Sequence, residues 1–433
     1  MKTPICDYVN RYAQNKTLRL HMPGHKGEGA LGVERLDITE IPGADSLYEA
    51  SGIIWESEQN ASTIFGCPTF YSTEGSSQCI RAMMHLAMLW AKGKGRKPVI
   101  AAGRNAHKAF LSAAALLDAD VRWLYGRQDS YLCCHLTAED LEMLFTQDAP
   151  TAVYLTSPDY LGNVVDVKAL AEVCHRHDAL LLVDNAHGAY LQFLGQHPMT
   201  LGADLCCDSA HKTLPVLTGG AYLHTTAELA EQAKDALALF GSTSPSYLIL
   251  QSLDACNPYL ANYGEKLRQF LPEMEKLRGQ LTACGYQLCG NEPMKLTLRT
   301  KAYGYTGTAF AERLEAQGVV CEFADPDFVV LMPTPETDLA LLEKALLSVE
   351  RQSAISEDTP GLYHCERVLS IRKAALSVSR RVKVEEAVGR VLASPSVGCP
   401  PAVPIVVCGE RIDENALNVF RYYGIKHCLV VEE

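Results

Sequence analysis

The sequence has no hydrophobic run of the roughly 18 to 20 residues that span a bilayer, and its N-terminus, MKTPICDYVNRYAQNK, has no apolar core of signal-peptide length. It also has no excess of positive charge, since 39 basic residues stand against 51 acidic ones and the formal net charge is -12. Because phosphate backbones and anionic lipids are bound by basic surfaces, this balance argues against a nucleic-acid or membrane partner. No low-complexity tract or internal repeat is evident, which is typical of a globular protein.

Cysteines are plentiful, but the spacings that bind metals are missing. The 16 cysteines are scattered over 433 residues, with adjacent pairs at Cys133-Cys134 and Cys206-Cys207 and no C-x-x-C. Disulfide frameworks are typical of small secreted chains, whereas this chain is long enough for about two or three domains. We therefore predict reduced cysteines in a cytoplasmic protein and no bound metal, with zinc held by isolated cysteines as the open alternative.

Helical and strand patterns alternate between about residues 70 and 225. The segment SSQCIRAMMHLAMLWAKGKG has helical apolar spacing, and PVIAAG then reads as a short buried strand. The segments VKALAEVCHRHD and ALLLVDNAHGAY repeat this pair of patterns. Such alternation predicts βαβ units and a mostly parallel sheet with helices on both faces, so we assign the chain to the α/β class.

The pattern changes after residue 245, where one or two long helices are predicted to lead out of the large domain. A shorter alternation of strands and helices then predicts a small α+β domain, and QSAISEDTPG reads as a polar linker. The predicted division is an N-terminal segment at 1–40, a large cofactor-binding domain at 41–262, a small α+β domain at 263–355 and a C-terminal segment at 356–433.

Ligands of such sheets bind beyond the carboxyl ends of the strands, so the polar side chains that follow the predicted strands are the candidates for a site. They are Asn105, His107, Ser157, Asp159, Asp184, His187, Ser209, His211 and Lys212. The sequence thus predicts a dense set of chemically able groups at one edge of the sheet.

Two motifs in this set carry most of the chemistry. Lys212 lies between a short apolar strand and a Gly-Gly turn, and it is either a solvated surface lysine or a buried amine that holds an aldehyde cofactor. Asp184 ends the apolar strand LLLVD, so it is either a helix cap or hydrogen-bonded loop carboxylate, or the group that keeps a pyridinium nitrogen protonated. His187 could then reach the ring's phenolic oxygen, and Ser209 a phosphate. Together the D-x-x-H and S-x-x-K motifs favour the cofactor.

The cofactor's phosphate needs an anion site, and STEGSSQCI provides a candidate. It places Gly75, Ser76 and Ser77 at the start of the first strong helix, where backbone N–H groups and the helix dipole attract anions. Capping of the helix by serine is the alternative. His107 follows the next strand, where it either stacks on a cofactor ring or faces solvent at a helix start.

These motifs resemble, in order and over nearly the whole chain, the bacterial Orn/Lys/Arg decarboxylases, which depend on pyridoxal 5'-phosphate and belong to the aspartate-aminotransferase-like, fold-type I superfamily. The similar segments are HMPGHKG, TSPDYLG, DNAHGAY, SAHKTLPVLTGGAYLH, STSPSYLILQSLDA, EAVGRV and CPPAVPIVVCGERI. Large inducible members also carry an N-terminal receiver-like wing domain, so this chain resembles the short form.

The resemblance implies a role for each matching residue. Lys212 matches the lysine that binds the cofactor's aldehyde, Asp184 the partner of the pyridine nitrogen, His187 the histidine after that aspartate, and His107 the histidine that stacks on the ring. The neighbours on the phosphate or lysine side are Ser76, Ser77, Ser209 and His211. Ser244 lies in a segment that the family lends to the partner's cofactor phosphate, which implies a homodimer or higher oligomer with composite sites.

The reaction that the resemblance implies is the decarboxylation of arginine, lysine or ornithine to a polyamine-pathway amine, with Lys212 or His211 as the acid that reprotonates the carbon. A cationic side chain of the substrate needs a carboxylate partner. Glu322 is the first candidate for this partner, and Asp45 and Asp325 are weaker ones; each is alternatively a surface carboxylate.

Five positions depart from the family pattern and leave the substrate open. Asn185 replaces the usual Glu, Asp159 a Thr, Cys399 a Tyr, Ala402 a Gly and Cys408 a Pro. An aminotransferase or lyase of the same fold is one alternative. An aminotransferase would need a fixed basic group for the α-carboxylate, and Arg299, Arg380 and Arg381 are the arginines to consider. A non-catalytic homologue that serves as a partner subunit is the other alternative.

Overall fold

The computed structural model describes residues 1–127, 130–356, 359–394, 396–399 and 403–432. Residue contacts divide the chain into two units. The first unit comprises Met1–Pro98, Thr151–Val153 and Val167–Lys266, and the second comprises Val99–Pro150, Tyr154–Asp166 and Leu267–Glu433. The four-segment division of the sequence stays a prediction. The described ranges contain no helix long and apolar enough to cross a membrane.

The helices and strands follow the predicted alternation. The helices are α1 (Pro4–Gln14), α2 (Ile53–Phe65), α3 (Ser76–Gly93), α4 (Lys108–Leu117), α5 (Ala138–Gln147), α6 (Val167–Arg176), α7 (Ala210–Thr213), α8 (Ala227–Ala230), α9 (Ala233–Ala238), α10 (Tyr247–Leu260), α11 (Tyr263–Ala283), α12 (Gly307–Glu315), α13 (Leu339–Ser348), α14 (Ile371–Ala375) and α15 (Glu414–Tyr422). The strands are β1 (Thr69–Ser72), β2 (Val99–Gly103), β3 (Asp120–Leu124), β4 (Ala152–Thr156), β5 (Leu180–Asp184), β6 (Leu205–Asp208), β7 (Ala221–Thr225), β8 (Gln287–Cys289), β9 (Leu296–Arg299), β10 (Phe323–Ala324), β11 (Phe328–Leu331), β12 (Ser379–Lys383), β13 (Ser396–Cys399), β14 (Val403–Val407) and β15 (His427–Val431).

Seven strands form the large sheet, in the order β1-β7-β6-β5-β4-β2-β3. The pairs β5–β6 and β2–β3 are parallel, whereas β7 runs antiparallel to both β6 and β1. The connection from β6 to β7 holds only the one-turn helix α7, which is too short for the crossover that parallel neighbours need. A large, mostly parallel sheet with interspersed helices confirms the predicted α/β class.

The first unit buries the strands that carry the site. Every residue of β5, β6 and β7 is buried, as expected for strands that helices cover on both faces. Helix α3 buries Cys79, Met83 and Leu86 on one side, at the spacing of a helical face. This rigid packing fixes the residues at the carboxyl ends of β5 and β6.

The second unit contains a four-stranded antiparallel sheet in the order β10-β11-β9-β8. Its C-terminal part pairs β12 with β15 and β13 with β14. Arg104 is buried in this unit and binds the carboxylate of Glu410 at 3.0 Å and the carbonyl of Pro404 at 2.9 Å. Glu410 belongs to the CGERI motif, so this motif anchors the C-terminal part.

Candidate active site

Asp184 and the segment that follows β6 lie side by side because β5 and β6 are parallel and end together. Asp184 pairs in register with Cys207, and its side chain is only 2% exposed. Its Oδ1 accepts the backbone N–H of Ala186 at 3.2 Å, and the Cys207 thiol lies 3.6 Å away. The carboxylate is therefore held in one orientation at the carboxyl end of the strand.

Lys212 lies on α7, the single helical turn that starts directly after β6. Its backbone N–H donates to the carbonyl of Ser209 at 3.0 Å, and its Nζ lies 2.9 Å from Nε2 of His187. Its side chain is half-buried rather than freely solvated. The adjacent His211 places Nδ1 3.0 Å from the carbonyl of Gly220 and donates its backbone N–H to the same oxygen. The structure thus brings the predicted Lys212 and His187 into contact.

Two serines predicted on the phosphate side also meet. The hydroxyl of Ser209 donates to that of Ser76, at the first residue of α3, over 2.8 Å. Gly75, the residue before Ser76, has a φ of 71°, and its N–H donates to the carbonyl of Gly219 at 2.7 Å. Gly219 itself has a φ of 100°, and a Cβ there would lie 2.9 Å from the carbonyl oxygen of Thr73. The tight turn therefore requires glycine and sets the Ser209 loop against the start of α3.

This donor set fits pyridoxal 5'-phosphate. The hydroxyls of Ser76 and Ser209 and the N–H groups of the first turn of α3 suit a phosphate. The buried Asp184 carboxylate suits a protonated ring nitrogen, and the Lys212 amine suits an aldehyde. Ser77 lies in the same first turn. The phosphate, the ring nitrogen and the aldehyde of the cofactor therefore each have matching groups in the first unit.

Other predicted residues belong to the second unit. His107 caps the start of α4, where its Nδ1 accepts the N–H of Ala109 at 3.2 Å. Asn105 is buried. Ser157 is also buried, and its hydroxyl accepts the N–H of Val165 at 3.2 Å. The cofactor role of His107 stays a prediction from the resemblance, and that of Ser157 stays a prediction from its position after a strand.

Two of the candidate carboxylates hold backbone amides. Asp45 accepts the N–H groups of Gly52 at 2.7 Å and Ile54 at 3.1 Å, among others, and so fixes the start of α2. Asp159 accepts those of Leu161 and Asn163 at 2.9 Å, and burial raises the pKa of this carboxyl. Such contacts satisfy each carboxylate within its own loop.

Among the remaining candidates, one carboxylate is buried, whereas the other carboxylate and the serine are exposed. Asp325 accepts two backbone N–H groups at 2.7 Å, and burial raises its pKa to about 6. Glu322 is exposed, and so is Ser244. The substrate role of Glu322 and the partner-facing role of Ser244 stay predictions. Among the departures, the side chain of Cys399 and all of Ala402 lie outside the described residues.

Sequence reasoning missed a buried network behind the predicted site. Asp208, the last residue of β6, contacts Asn185, His197 and His224. The side chains of Asp208 and of both histidines are completely buried. The sequence signal was weak: the Asp beside the S-x-x-K motif was visible, but nothing marked its two histidine partners.

The described residues include two groups with metal-ligand atoms within 4.8 Å of one another. They are His197, Asp208 and His224, and Cys133, His135 and Asp159. In the second group, Asp159 already accepts backbone N–H groups from Leu161 and Asn163 and the side-chain amide of Asn163, so loop hydrogen bonds account for its carboxylate.

The fold and the groups at the carboxyl ends of β5 and β6 define an α/β protein whose donor set fits pyridoxal 5'-phosphate. Residues 3–285 match the major domain of the Orn/Lys/Arg decarboxylases, and residues 368–427 match the C-terminal domain of the same family. The chain therefore belongs to the Orn/Lys/Arg decarboxylase family, which confirms the resemblance drawn from the motifs.

The chain is similar to curated relatives over almost their whole length. The chain is 28% identical to an arginine decarboxylase of Halalkalibacterium halodurans, with 97% of this chain and 93% of the relative covered. It is also 28% identical to an arginine decarboxylase of Bacillus subtilis, again with 97% and 93% covered.

Solved structures support the fold. A lysine decarboxylase of Pseudomonas aeruginosa matches 98% of this chain and 76% of its own, with a TM-score of 0.79 at 17% identity. The E. coli constitutive lysine decarboxylase matches 100% and 82%, with a TM-score of 0.77 at 16% identity. At this level of identity, these structures confirm the predicted fold class alone.

Proposed function

We propose that this chain removes the α-carboxylate of arginine, lysine or ornithine as CO2, with pyridoxal 5'-phosphate held at Lys212 and Asp184. The observation that carries the proposal is the contact of Lys212 Nζ with Nε2 of His187 at 2.9 Å, since His187 follows the buried Asp184 by three residues. Membership of the decarboxylase family and the relatives named arginine decarboxylase support it.

Different residues of the first unit would bind different groups of the cofactor. Ser76, Ser209 and the first turn of α3 would bind the phosphate, Asp184 would hold a proton on the ring nitrogen, and Lys212 would bind the aldehyde. When bound, the cofactor supplies an electron sink for the electron pair that CO2 leaves behind. His107 is the ring-stacking residue by resemblance alone.

A proton must then be delivered to the substrate carbon. The Lys212–His187 hydrogen bond allows a proton to be shared between Nζ and Nε2, so the amine can be recharged after it has donated. His211 is the other predicted acid. Its Nδ1 faces a carbonyl, which only accepts hydrogen bonds, so that nitrogen is held as a donor to Gly220. We therefore favour Lys212 as the acid.

The test is a panel of arginine, lysine and ornithine incubated with the protein and cofactor. We expect absorbance at about 400 nm, a borohydride-stable adduct at Lys212 and stoichiometric CO2 from at least one substrate. Keto acid formation without CO2 would establish the aminotransferase alternative. Absence of both the absorbance and the adduct would establish the non-catalytic alternative. The cytoplasmic location stays a prediction from the scattered cysteines, and the polyamine-pathway role stays a prediction from the resemblance.

We also predict at least a dimer with composite sites, in which the exposed Ser244 faces the partner's phosphate. A Lys212→Ala chain mixed with a Thr243→Ala/Ser244→Ala chain should regain activity, because each mixed dimer then contains one intact site. With random pairing, the mixture should reach about a quarter of the parent's activity. The readout is the rate of CO2 release after unfolding and joint refolding.

The control for this complementation is a mixture of Lys212→Ala and Asp184→Asn chains. These two side chains belong to the same unit of one chain, so mixed dimers contain no intact site and should gain nothing. An active monomer in sedimentation would rule out the composite site.

A further prediction concerns the substrate's distal cation. Glu322→Gln should raise KM for the preferred basic substrate by about ten-fold while the cofactor absorbance is unchanged, because the exposed carboxylate loses its charge and keeps its shape. The matched control is Glu312→Gln, which neutralises another exposed carboxylate of the second unit. Unchanged KM for all three substrates would exclude Glu322.

A further inference from the structure

The buried carboxylate of Asp208 is the centre of a hydrogen-bond network in the first unit. Its Oδ1 accepts Nδ2–H of Asn185 at 2.7 Å, and its Oδ2 lies 3.1 Å from Nε2 of both His197 and His224. Asp208 directly precedes Ser209, and Asn185 directly follows Asp184. The network therefore lies one residue away from two predicted cofactor ligands.

The protons in this network can be assigned from its outer contacts. The backbone N–H of Met199 donates to Nδ1 of His197 at 3.3 Å, so that nitrogen carries a lone pair and the ring proton lies on Nε2. Nε2–H of His197 therefore donates to Asp208. A metal bound through Nε2 would need a lone pair there, so the observed contacts describe a hydrogen-bond network rather than a metal site.

His224 completes the assignment. Its Nδ1 lies 2.9 Å from the hydroxyl of Thr69, and burial lowers the pKa of the imidazole. Because the carboxylate can only accept, Nε2 of His224 donates to Asp208, while its Nδ1 faces the Thr69 hydroxyl, which also donates to the carbonyl of Cys67 at 3.1 Å. Burial opposes the charge of Asp208, but the two imidazoles outweigh it and lower the pKa of this carboxyl. The carboxylate is thus a pure acceptor that three N–H groups face.

A buried charge of this kind is weak evidence for stability, because its desolvation offsets much of what its partners contribute. Its geometry indicates another use. The β5–β6 ladder ends where the backbone N–H of Asn185 donates to the carbonyl of Cys207 at 3.0 Å. The Asn185 side chain adds one further bond beyond that point, to Asp208. This bond ties together the two chain segments as they enter the site.

The same contact accounts for a departure from the family pattern. The resemblance places a Glu where this chain has Asn185, and a second carboxylate facing Asp208 would be repelled. An amide instead donates to it. Asn185 and Asp208 thus form a matched pair.

We propose that Asp208 is a positioning residue, which acts through Asn185 and through the Ser209–Thr213 turn to hold Asp184 and Lys212 in place for the cofactor. This inference rests on the proposed function. A carboxylate at Asp208 can only accept hydrogen bonds, and Asp208→Asn tests this property. The new amide N–H would face either Nδ2–H of Asn185 or the imidazole N–H of His197. Two donors would then oppose each other at a buried site.

The experiment compares Asp208→Asn, Asn185→Ala and Asn185→Asp with a matched control, Asp204→Asn. Asp204 directly precedes β6, at the end of that strand opposite to Asp208, and its carboxylate accepts the N–H of Leu181 at 2.7 Å. The measurements are the thermal midpoint, the dissociation constant for pyridoxal 5'-phosphate, the rate of borohydride trapping at Lys212, and amide hydrogen exchange of 184–187 and 209–213 in cofactor-free protein.

We expect Asp208→Asn and Asn185→Asp to weaken cofactor binding by at least about ten-fold and to slow trapping, with faster exchange confined to those two segments. Their kcat should fall by about 10²-fold with little change in KM, as for a misplaced catalytic group. Asn185→Ala, which only deletes the link, should show the same effects more weakly. Asp204→Asn should lower the thermal midpoint without changing cofactor affinity.

Three outcomes separate the inferences. Folded Asp208→Asn and Asn185→Ala proteins could bind the cofactor as tightly as the parent and show the same amide hydrogen exchange. That result would overturn the positioning role and leave the proposed function intact. If Asp208→Asn does not fold, Asn185→Ala decides, because it leaves Asp208 with both imidazoles. A parent protein that neither binds the cofactor nor forms the Lys212 adduct would overturn the proposed function itself.

Discussion

Lys212→Ala should abolish decarboxylation, with kcat reduced by about 10³-fold or more. The substitution removes the amine that would bind the cofactor's aldehyde and the proton donor that we assign to the same Nζ. It also removes the Nζ that lies 2.9 Å from Nε2 of His187. The measurements are CO2 release with saturating substrate and the yield of the borohydride-stable adduct, both of which should fall to background.

The matched variant is Lys212→Arg, which keeps a cation at this position and removes only the primary amine. We expect it to be as inactive as Lys212→Ala, because charge alone cannot replace the nucleophile. Addition of a small primary amine should restore part of the activity of Lys212→Ala. A borohydride-stable adduct that persists in both variants would show that another lysine binds the cofactor.

The fold was predictable where its signals are local. Strand β5 is a short apolar run and α3 a helical apolar pattern, so each could be read from its own residues. Strand β1, by contrast, was not predicted, because its residues TFYS are neither a continuous apolar run nor long enough to show a period. The antiparallel direction of β7 depends on the short β6–β7 connection and on pairing with β1, which are properties of the folded chain.

The site was predictable as far as its motifs extend. Asp184, His187 and Lys212 lie in two short motifs at predicted strand ends, and the structure places them in one unit. Asp208 and its partners His197 and His224 come from separate segments that meet only after folding. Their roles depend on burial and on proton positions, which a sequence pattern does not express.

Charged residues were the hardest to interpret from sequence. Asp45 and Asp325 read equally well as substrate ligands or as surface carboxylates, yet the structure uses both to hold backbone amides. Arg104 and Glu410 lie 306 positions apart, and nothing in the sequence marks them as a buried pair. A carboxylate's function depends on the donors that face it, and those donors come from the tertiary fold.

Asp184→Asn should leave the protein folded and reduce kcat by about 10³-fold, equivalent to about 4 kcal/mol of transition-state stabilisation. The amide keeps the shape of the side chain and can still accept the N–H of Ala186 through its oxygen. It cannot hold a proton on the ring nitrogen by charge, so the electron sink that decarboxylation needs is weakened. KM should change far less than kcat, because the lost interaction strengthens in the transition state.

The matched control for this variant is Asp254→Asn, which neutralises another fully buried carboxylate of the same unit. Asp254 accepts the hydroxyl of Ser57 at 2.6 Å and the N–H of Cys6 at 2.9 Å, and it therefore joins α10 to α2 and α1. We expect Asp254→Asn to lower the thermal midpoint and to leave kcat per folded protein near the parent value. The Asp184→Asn protein should show the reverse pattern, a parent-like thermal midpoint with a shifted cofactor absorbance and a collapsed kcat. Near-normal turnover by Asp184→Asn would exclude Asp184 as the partner of the ring nitrogen, because that role depends on the charge that the substitution removes.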